Sequence, residues 1–394
     1  MVVTFVMDDL SDCKNGTTMT ALRFAQGLRD RGHEVRLVGY GAQGDDAFSV
    51  GRCYYPVVDT ITERQGFVFG RPDMETVHRA VKSADIVHLF LPFKLERVAM
   101  DEARRQGVPV SGAFHLQPEN MVYGANLEHV PGLTDILYHH FRSTFYDDIR
   151  HVHCPSQLVA DDLAERYGYR SHMHAVSNGV NAPFVPGAPT HPFDDGLFHI
   201  VTVGRLSAEK SQVTLLEAAR FSRHADRIKL HVCGIGPLER ELREESYGMA
   251  HPVDFGFREQ GELIDLLRAA DLYVHCSVAD SEGISCIEAI ACGLVPVFAE
   301  ADRSATKQFA LDGRSLCPAL DAPALAERID YWVEHPDERA AMKAAYAREG
   351  EQYRLWRCVE KFEAMEHQAI EDDLAAYGAA AHPGGHAAQL FFLL

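Results

Sequence analysis

The sequence lacks a surplus of positive charge. Its 394 residues include 57 acidic side chains but only 38 lysines and arginines, so the formal net charge at pH 7 is −19 and the pI is near 5.5. Proteins that bind nucleic acid broadly carry basic surfaces that neutralise phosphates. The excess of acidic residues therefore argues against a nucleic-acid partner and against a uniformly basic membrane-binding face. It does not exclude a local basic patch.

Long apolar runs and paired cysteines are missing as well. No segment approaches the roughly 18 apolar residues of a membrane-spanning helix, and the first residues lack the basic and apolar stretches of a signal peptide. Nine cysteines occur without any Cys-x-x-Cys pair, so nothing signals a zinc knuckle or a thioredoxin-like site. We therefore expect a cytoplasmic protein with reduced, mostly buried thiols.

Strand-like and helix-like segments, in contrast, alternate along the chain in two successive series. The first series opens with an apolar run at residues 2–7 and an amphipathic stretch at residues 17–31. The second restarts at residues 198–203, after a segment at residues 183–195 whose Pro, Gly and Asp content is typical of a linker. This rhythm predicts an α/β fold with two Rossmann-like, doubly wound domains that face each other across a cleft.

The same pattern gives domain boundaries. We expect the N-terminal domain to cover residues 1–186 and the C-terminal domain residues 193–351. A helical pattern at residues 352–376 predicts a helix that crosses back to complete the first domain. Residues 377–394 are a Gly/Ala/His-rich tail with an apolar end, for which disorder and docking to a partner or a membrane are both open. Open parallel sheets bind ligands at the carboxyl ends of their strands, so the cleft is the predicted site.

The segment from Asp280 to Phe298 is the most informative part of the chain. It predicts a loop, a short helix, a stop at Gly293 and a buried strand. Ser285 and Glu288 fit a capping box, with Ser285 as the N-cap and Glu288 three residues into the helix. The same residues suit a ligand with phosphate and hydroxyl groups, because helix N-termini favour anions and carboxylates accept from hydroxyls. On this segment alone, capping and ligand binding are both open.

Two cations follow the strand at residues 198–203. Arg205 and Lys210 lie five residues apart on a loop beyond the carboxyl end of that strand. Together they could clamp a diphosphate and stabilise the negative charge that builds as a bond to it breaks. The alternative is a solvated pair in which Lys210 bridges Glu209 or another neighbour.

Taken together, these segments resemble the family-4 glycosyltransferases, which adopt the two-domain GT-B fold. The resemblance extends over nearly the whole chain, and within the family residues 114–120 and 293–310 look most like bacterial enzymes that glycosylate diacylglycerol-type lipids. The segments that carry it are Gly204-Arg-Leu-(three residues)-Lys210, residues 232–237 and 288–297, Asn15-Gly16-Thr17, residues 31–35, His88, Phe114-His115, Pro155-Ser156 and residues 177–180.

The resemblance implies an activity. A hexosyltransferase would move a hexose, glucose or galactose, from a nucleotide-diphosphate sugar to a lipid such as diacylglycerol or a glycosyl-diacylglycerol, with retention of configuration. The co-substrate is expected to be a UDP-sugar. Such an enzyme would be cytoplasmic and would associate peripherally with the inner face of the membrane.

The resemblance also implies roles for individual residues. Asp280 and Glu288, with seven residues between them, match the family's carboxylate pair. Glu288 would hold the ribose hydroxyls and Asp280 would reach the donor sugar, while Arg205 and Lys210 match the diphosphate clamp and His115 would line the sugar site. The other donor contacts implied are Gly16, Thr17, Gly204, Gly236, Phe257, Glu282, Gly283, Ile284 and Ser285, and the acceptor contacts are Glu119 and Asn120.

The sequence departs from the family at one of these positions. Aspartate stands at 280 where the family usually has glutamate, which shortens the reach of the carboxylate by one methylene. Glu282 lies two residues on and could compensate. Both Asp280 and Glu282 are therefore candidates for the first carboxylate of the site.

No Asp-x-Asp pair occurs in the sequence, so nothing supports the transferases that hold their sugar nucleotide through a metal ion bound by that motif. We expect no metal and no other cofactor, with Arg205 and Lys210 supplying the positive charge. The pairs His151/His153 and His172/His174 each place two imidazoles on one face of a predicted strand. They form a candidate metal clip, but among 21 histidines we expect them to have structural or exposed positions.

One stretch of the first domain mixes basic and apolar residues. Residues 93–98, followed by Arg104 and Arg105, predict a helix that could meet an anionic membrane surface. The alternative is an ordinary amphipathic helix that packs its apolar side inward.

Other functions stay open on the sequence. They are a glycosyltransferase with a soluble or polysaccharide acceptor, a sugar-nucleotide epimerase of the same fold, and a nucleotide-binding module without activity. An NAD-type oxidoreductase is a further class, suggested by Gly234 and Gly236, but that fingerprint lacks its third glycine.

Overall fold

The computed structural model describes residues 1–11, 16–56, 59–62 and 67–381. Its N-terminal half is built on a sheet of seven strands in which all neighbours run parallel. The strands of this half are β1 (Val2–Asp9), β2 (Glu34–Tyr40), β3 (Ala47–Val50), β4 (Arg52–Cys53), β5 (Phe69–Gly70), β6 (Ile86–Leu89), β7 (Val110–Ala113), β8 (His151–Cys154) and β9 (His172–Ala175). The sheet order is β3-β2-β1-β6-β7-β8-β9, and β4 and β5 form a separate antiparallel ribbon.

The C-terminal half contains a second parallel sheet, of six strands. Its strands and a short additional pair are β10 (Phe198–Val203), β11 (Ile228–Cys233), β12 (Asp254–Gly256), β13 (Leu272–His275), β14 (Ala279–Asp280), β15 (Pro296–Glu300), β16 (Arg303–Ser304) and β17 (Leu316–Pro318). The sheet order is β12-β11-β10-β13-β15-β17, and β14 pairs with β16 beside it.

Helices connect these strands and cover both sheets. In the described residues the α-helices are α1 (Gly16–Asp30), α2 (Asp59–Thr62), α3 (Met74–Val81), α4 (Lys94–Gln106), α5 (Pro118–Gly124), α6 (Leu133–Thr144), α7 (Gln157–Asp161), α8 (Gln212–Phe221), α9 (Glu239–Glu245), α10 (Gln260–Ala269), α11 (Ile284–Ala291), α12 (Ala322–Glu334), α13 (Pro336–Glu349) and α14 (Leu355–Ala381). A π-helical turn, Asp162–Arg166, continues α7, and short 3-10 turns occur between several elements.

The central strands are continuous apolar runs because both faces of a parallel sheet are covered by helices. Strand β10 is buried over five of its six residues, and β13 is buried throughout. This arrangement confirms the predicted α/β architecture of two doubly wound units. The segment predicted as a strand at residues 198–203 has those bounds in the structure.

Strand β1 is two residues longer than the apolar pattern predicts. Its last residues, Asp8 and Asp9, are polar and still almost fully buried. Each finds backbone donors, since the amide of Gly70 donates to Asp8 and the amide of Val68 donates to Asp9. The apolar pattern alone predicts that β1 ends at residue 7. In the structure the strand continues to Asp9, because amides at and beside the β4–β5 ribbon satisfy both carboxylates.

Helix α14 returns to the N-terminal sheet. Its residues Cys358, Val359 and Phe362 belong to the same buried cluster as strand β1 and helix α1. A polar contact fixes the helix further, because the fully buried hydroxyl of Ser111 on β7 donates to the carboxylate of Glu366. The helix runs five residues beyond the predicted end at 376, and residues 382–394 of the predicted tail lie outside the described chain. In the part of the chain that is described, no helix is both long enough and apolar enough to span a membrane.

Removing the Phe362 ring should destabilise the protein by about 3–5 kcal/mol, the usual cost of a buried phenylalanine truncated to alanine. The ring is fully buried and stacks on Phe24 of α1 with centroids 4.8 Å apart. Urea unfolding of Phe362→Ala measures the loss. Trp356→Ala on the same helix is the matched control, because that side chain is 57% exposed and should change stability little. Equal losses in both variants would contradict the packing role of α14.

Candidate active site

The loops at the carboxyl ends of β10 and β13 lie side by side in the C-terminal half. The hydroxyl of Ser285, in the first turn of α11, donates to the backbone carbonyl of Val203 at the end of β10 over 2.9 Å. Lys210, on the loop after β10, reaches Asp280, the last residue of the short strand β14 that follows β13. The two segments predicted from sequence to form one site are therefore in direct contact.

Asp280 is the centre of this contact. Lys210 Nζ lies 2.5 Å from Asp280 Oδ2, and His275 Nε2 lies 3.0 Å from the same oxygen. Burial opposes ionisation of the carboxyl, but the charge of Lys210 and the bond from His275 hold the pKa of Asp280 well below its usual range. Burial likewise disfavours the ammonium, and Asp280 outweighs it and raises the pKa of Lys210. Both groups are therefore charged at neutral pH.

Glu282 points away from this pair. Its carboxyl oxygens accept hydrogen bonds from the backbone amide of Asn178 and, over 2.6 Å, from the Asn178 side-chain amide. Asn178 lies where the chain leaves the N-terminal half, and the next residues pair with the start of α14 through Val180. Of the two candidates for the first carboxylate, Asp280 contacts the cation Lys210 and Glu282 contacts the crossover between the halves.

The carboxylate of Glu288 is nearly buried, but the described residues give it no hydrogen bond. Its side chain is 12% exposed, and burial raises its pKa to about 7, an effect that Arg23 partly offsets. Arg23 of α1 lies across the cleft, with Nη2 4.0 Å from Glu288 Oε1. That separation is too long for a hydrogen bond. Among the described residues, Arg23 is the single charged partner of Glu288.

The predicted capping box is wrong. Helix α11 begins at Ile284, and its N-cap is Gly283, with a φ of 86° that favours glycine. A Cβ at this position would lie 2.6 Å from a methyl of Thr306, which is a second reason for glycine. Ser285 is inside the helix and bonds to Val203, so it does not cap. The amides of Ile284 and Ser285 are left without helical acceptors, and Gly293 follows the end of the helix as predicted.

Arg205 extends from the loop after β10. Its side chain makes no hydrogen bond or ion pair with any residue in the described ranges. The loop that carries it packs closely on the loop after β11, because a Cβ at Gly234 would lie 1.9 Å from the carbonyl oxygen of Gly204 and one at Gly236 2.3 Å from that of Leu206. Phe257, which is 50% exposed, stands on the adjacent loop after β12. These positions line one edge of the cleft.

Among the described residues, the predicted site residues of the N-terminal half include Gly16, Thr17 and His115. Gly16 is exposed at the start of α1, where a Cβ would have no described atom within 4 Å, and Thr17 follows on the same turn. Asn15 lies outside the described residues. His115, after β7, has a buried Nε2 that finds no hydrogen-bond partner in the described residues, and burial lowers its pKa well below the usual value. The imidazole is therefore neutral at physiological pH.

The predicted acceptor residue Glu119 has partners within the protein. Tyr138 donates to one carboxylate oxygen over 2.9 Å, and Arg303 Nε lies 3.2 Å from the other. Arg303 belongs to the C-terminal half and also contacts Asp162 at 2.8 Å and the Tyr167 hydroxyl at 2.6 Å. Asn120, the next residue of α5, is partly exposed.

Sequence reasoning missed Arg303, Arg23 and His275. No local pattern marks Arg303, because all of its charged partners are more than a hundred residues away. Arg23 had a weak signal: it lies seven residues after Gly16, hence on the same face of α1. His275 ends strand β13, the position at which open sheets present ligand contacts.

The paired histidines make contacts with one another and with the protein. His151 Nδ1 lies 3.0 Å from His174 Nε2, and His153 Nε2 lies 2.7 Å from the carbonyl of Val176. Burial lowers the pKa of His151 and of His153, the latter to about 3. Within the described ranges no group of three or more His, Cys, Asp or Glu side chains is arranged to hold a metal ion.

Helix α4 packs its apolar side inward. Leu95, Ala99 and Met100 are fully buried, while Arg97 and Arg104 both pair with Asp148. The three arginines of this helix are thus engaged by acidic neighbours, with Arg105 paired to Glu102, as the second of the two interpretations of the sequence expects.

Two family models match the chain. The model for glycosyltransferase family 4 covers residues 14–183, and the model for group 1 glycosyl transferases covers residues 189–349. Together they account for both halves of the cleft. The chain belongs to the GT-B glycosyltransferases. The family and the fold implied by the sequence resemblance are confirmed.

Two curated proteins are similar to the chain at 25% identity. Alpha-monoglucosyldiacylglycerol synthase of Streptococcus pneumoniae matches over 232 residues, which are 55% of this chain and 51% of that protein. GDP-mannose-dependent alpha-mannosyltransferase of Corynebacterium glutamicum matches over 291 residues, 70% of this chain and 66% of that protein. The chain thus spans between about half and two thirds of the length of these relatives.

A solved structure matches the whole architecture. Anabaena Alr3699/HepE, crystallised with UDP and glucose, superposes with a TM-score of 0.67 and covers 95% of this chain and all of that chain. The sequence identity is 18%, so the likeness concerns the fold.

Glu282 should make stability depend on pH. Burial raises its pKa from 4.5 to about 8, so the folded protein binds a proton that the unfolded chain releases. The stabilisation is complete below pH 4.5 and is lost as pH rises to 8, by on the order of 1.4 kcal/mol per pKa unit. Unfolding free energies of Glu282→Gln, compared with wild type between pH 5 and 8, should show a smaller decline.

The matched control for this pH series is Glu360→Gln, because Glu360 is exposed on α14 and outside the site. It should keep the wild-type slope. If Glu282→Gln also kept that slope, the carboxyl would not be protonated in the folded protein and its burial against Asn178 would be misassigned.

Proposed function

We propose that the protein is a retaining hexosyltransferase that moves glucose or galactose from a UDP-sugar to a lipid of the diacylglycerol class. The observation that carries the proposal is a set of polar groups along one edge of the cleft. Lys210 is held in place there by Asp280, and the guanidinium of Arg205 has no side-chain partner among the described residues. The poorly satisfied carboxylate of Glu288 and the amides at the start of α11, which have no acceptor within the helix, complete the set.

A nucleotide-diphosphate sugar offers a partner to each of these groups. Its diphosphate would accept from Arg205, Lys210 and the amides of Ile284 and Ser285, because cations and helix N-termini favour phosphate. Its ribose would donate to Glu288. The ionised Asp280 lies beside Lys210, so a sugar attached to the diphosphate would come within reach of its carboxylate.

The same groups would act on the leaving diphosphate. As the bond between sugar and phosphate breaks, negative charge builds on the diphosphate, and preorganised cations stabilise it. Asp280 holds the ammonium of Lys210 in place before the reaction, so little reorganisation is required. We propose that the diphosphate itself assists attack on the same face of the sugar, which gives retention without a protein nucleophile.

The neutral imidazole of His115 completes the sugar pocket in this proposal. Its unpartnered Nε2 can bond to a sugar hydroxyl without introducing a charge. Closure of the two halves over the donor would exclude water, and water would otherwise compete with the acceptor.

The lipid acceptor is supported by two observations. One of the two curated matches is alpha-monoglucosyldiacylglycerol synthase of Streptococcus pneumoniae, whose name specifies a glucosylated diacylglycerol. In the structure, apolar side chains are exposed after α5: Leu127 and Val130 on the connecting segment are 40% and 39% exposed, and Ile136 in the first turn of α6 is 64% exposed. Such side chains could enter a lipid surface, and we propose peripheral association with the membrane through this edge.

Product analysis tests donor and acceptor together. The protein is incubated with UDP-glucose, UDP-galactose or GDP-mannose and with diacylglycerol vesicles or a membrane lipid extract, and products are read by mass spectrometry. A new glycolipid with a UDP-hexose supports the proposal. A mannolipid from GDP-mannose overturns the donor, soluble glycosides alone overturn the acceptor, and donor isomerisation without transfer overturns the reaction.

Replacing Lys210 should lower the turnover number by roughly 10²–10³-fold, the usual loss when one preorganised electrostatic contact is removed. We expect Lys210→Ala to reduce kcat in the product assay while the fold persists by circular dichroism. Lys361→Ala removes the same charge from an exposed site on α14 and should behave like wild type. Full activity in Lys210→Ala would remove the diphosphate clamp from the proposal.

A further inference from the structure

Arg23 stands opposite Glu288 and belongs to the other half of the protein. It is in the second turn of α1, and Glu288 is in the second turn of α11. Both side chains are mostly buried, at 14% and 12% exposure. The cleft therefore brings together one cation from the N-terminal half and one carboxylate from the C-terminal half.

Neither group satisfies the other. The shortest distance between them, from Nη2 to Oε1, is 4.0 Å, beyond hydrogen-bond range. Arg23 Nε is buried without a hydrogen-bond partner among the described residues. Burial lowers the pKa of Arg23 and raises that of Glu288, so each charge is held at a cost. Such groups are usually paired, and an unpaired set at a cleft indicates a missing ligand.

A hydroxyl group fits this gap. It donates one hydrogen bond and accepts others, so a single oxygen can donate to Glu288 and accept from Arg23. An oxygen about 2.8 Å from both Nη2 and Oε1 closes a triangle on their 4.0 Å separation. A vicinal diol presents two such oxygens and could use both carboxylate oxygens and more than one guanidinium N–H.

The position of Glu288 indicates which diol of the donor would bind there. Glu288 follows the free amides of Ile284 and Ser285 by one helical turn, so a group bound there is next to the proposed phosphate site. In the proposed function, the part of the donor next to its diphosphate is either the hexose or the ribose. The hexose is assigned to the side of Lys210 and Asp280, which leaves the ribose for Glu288.

We propose that Arg23 is a further donor-binding residue, whose guanidinium donates to the ribose diol while Glu288 accepts from it, so that the nucleotide bridges the two halves of the protein. The inference rests on the proposed function, in which Glu288 holds the ribose. It adds a contact from the N-terminal half, and it makes recognition of the diol a source of discrimination between ribonucleotides and 2′-deoxyribonucleotides.

Nucleotide binding measured by calorimetry tests the proposal. The probes are UDP, GDP and their 2′-deoxy forms, and the proteins are wild type, Arg23→Met, Arg23→Lys and Glu288→Gln. Wild type should prefer the ribonucleotide over its deoxy form by about tenfold or more, as expected for a bond to a charged group. Arg23→Met should lose about tenfold in affinity for the ribonucleotide and little for the deoxy form, and Arg23→Lys should retain part of the preference.

Arg240→Met is the control for loss of charge, because the Arg240 side chain is 90% exposed on α9. It should bind all four probes as wild type does. Thermal melting of the free proteins shows whether Arg23→Met is folded. If it is not, Arg23→Lys tests the contact instead, because it keeps the positive charge and changes only the donor geometry.

The outcomes separate the inference from the function beneath it. If neither UDP nor GDP binds wild type, or if Glu288→Gln binds as wild type does, the proposed donor site fails. If Glu288→Gln weakens binding but Arg23→Met keeps both the affinity and the preference for the ribonucleotide, the contact from Arg23 fails alone. If Arg23→Met lost the same affinity for the ribonucleotide and for its deoxy form, Arg23 would act only through its charge, and the proposed contact with the diol would be overturned.

Discussion

The buried carboxylate of Asp280 imposes the constraint around which the C-terminal half of the cleft is arranged. An ionised carboxylate in the interior is costly unless cations or donors compensate it. Lys210 and His275 do so at 2.5 and 3.0 Å. Because Lys210 follows β10 and Asp280 follows β13, one ion pair fixes the relative position of two loops about seventy residues apart in sequence. The start of α11 and the loop of Arg205 take their places from this contact.

Three neighbouring carboxylates have different environments and therefore different proton affinities. Asp280 faces a cation and is ionised, while burial raises the pKa of Glu282 to about 8 and that of Glu288 to about 7. Glu282 receives hydrogen bonds from Asn178, whereas the one charged partner of Glu288 in the described part of the chain is Arg23, 4.0 Å away. Asp280 is therefore ionised beside a cation, Glu282 makes a structural contact, and Glu288 keeps hydrogen-bonding capacity for a ligand, because their surroundings differ. Residue type alone does not distinguish them.

Polar contacts also tie the two halves together at several points. Arg303 crosses the cleft to Glu119 and Asp162, and its guanidinium lies over the rings of Tyr138 and Tyr167. Glu282 connects the donor-side loop to Asn178 at the crossover, where Val180 pairs with the start of α14. A planar guanidinium suits such a junction, because it bonds in several directions at once and stacks on aromatic faces. These contacts would have to rearrange if the halves open and close.

Periodicity in the sequence determined the architecture. Alternating apolar and amphipathic segments specify parallel sheets, because each element must bury one face or both. The same local logic located the loops of Arg205, Lys210 and Asp280 and the stop at Gly293. The local pattern gave the wrong cap for α11. Ser285 has the spacing to Glu288 that a capping box requires, but its hydroxyl donates to the carbonyl of Val203 on β10.

Only the tertiary structure decided which charges meet. The spacing of residues 280, 282 and 288 left the first carboxylate open, and the fold separated them by turning Asp280 toward Lys210 and Glu282 toward Asn178. Arg23 and Arg303 gain their partners across the cleft from residues far away in the chain. The physical reason is that hydrophobic patterning is local and can be read along a segment, whereas charge pairing and desolvation depend on neighbours that only folding supplies.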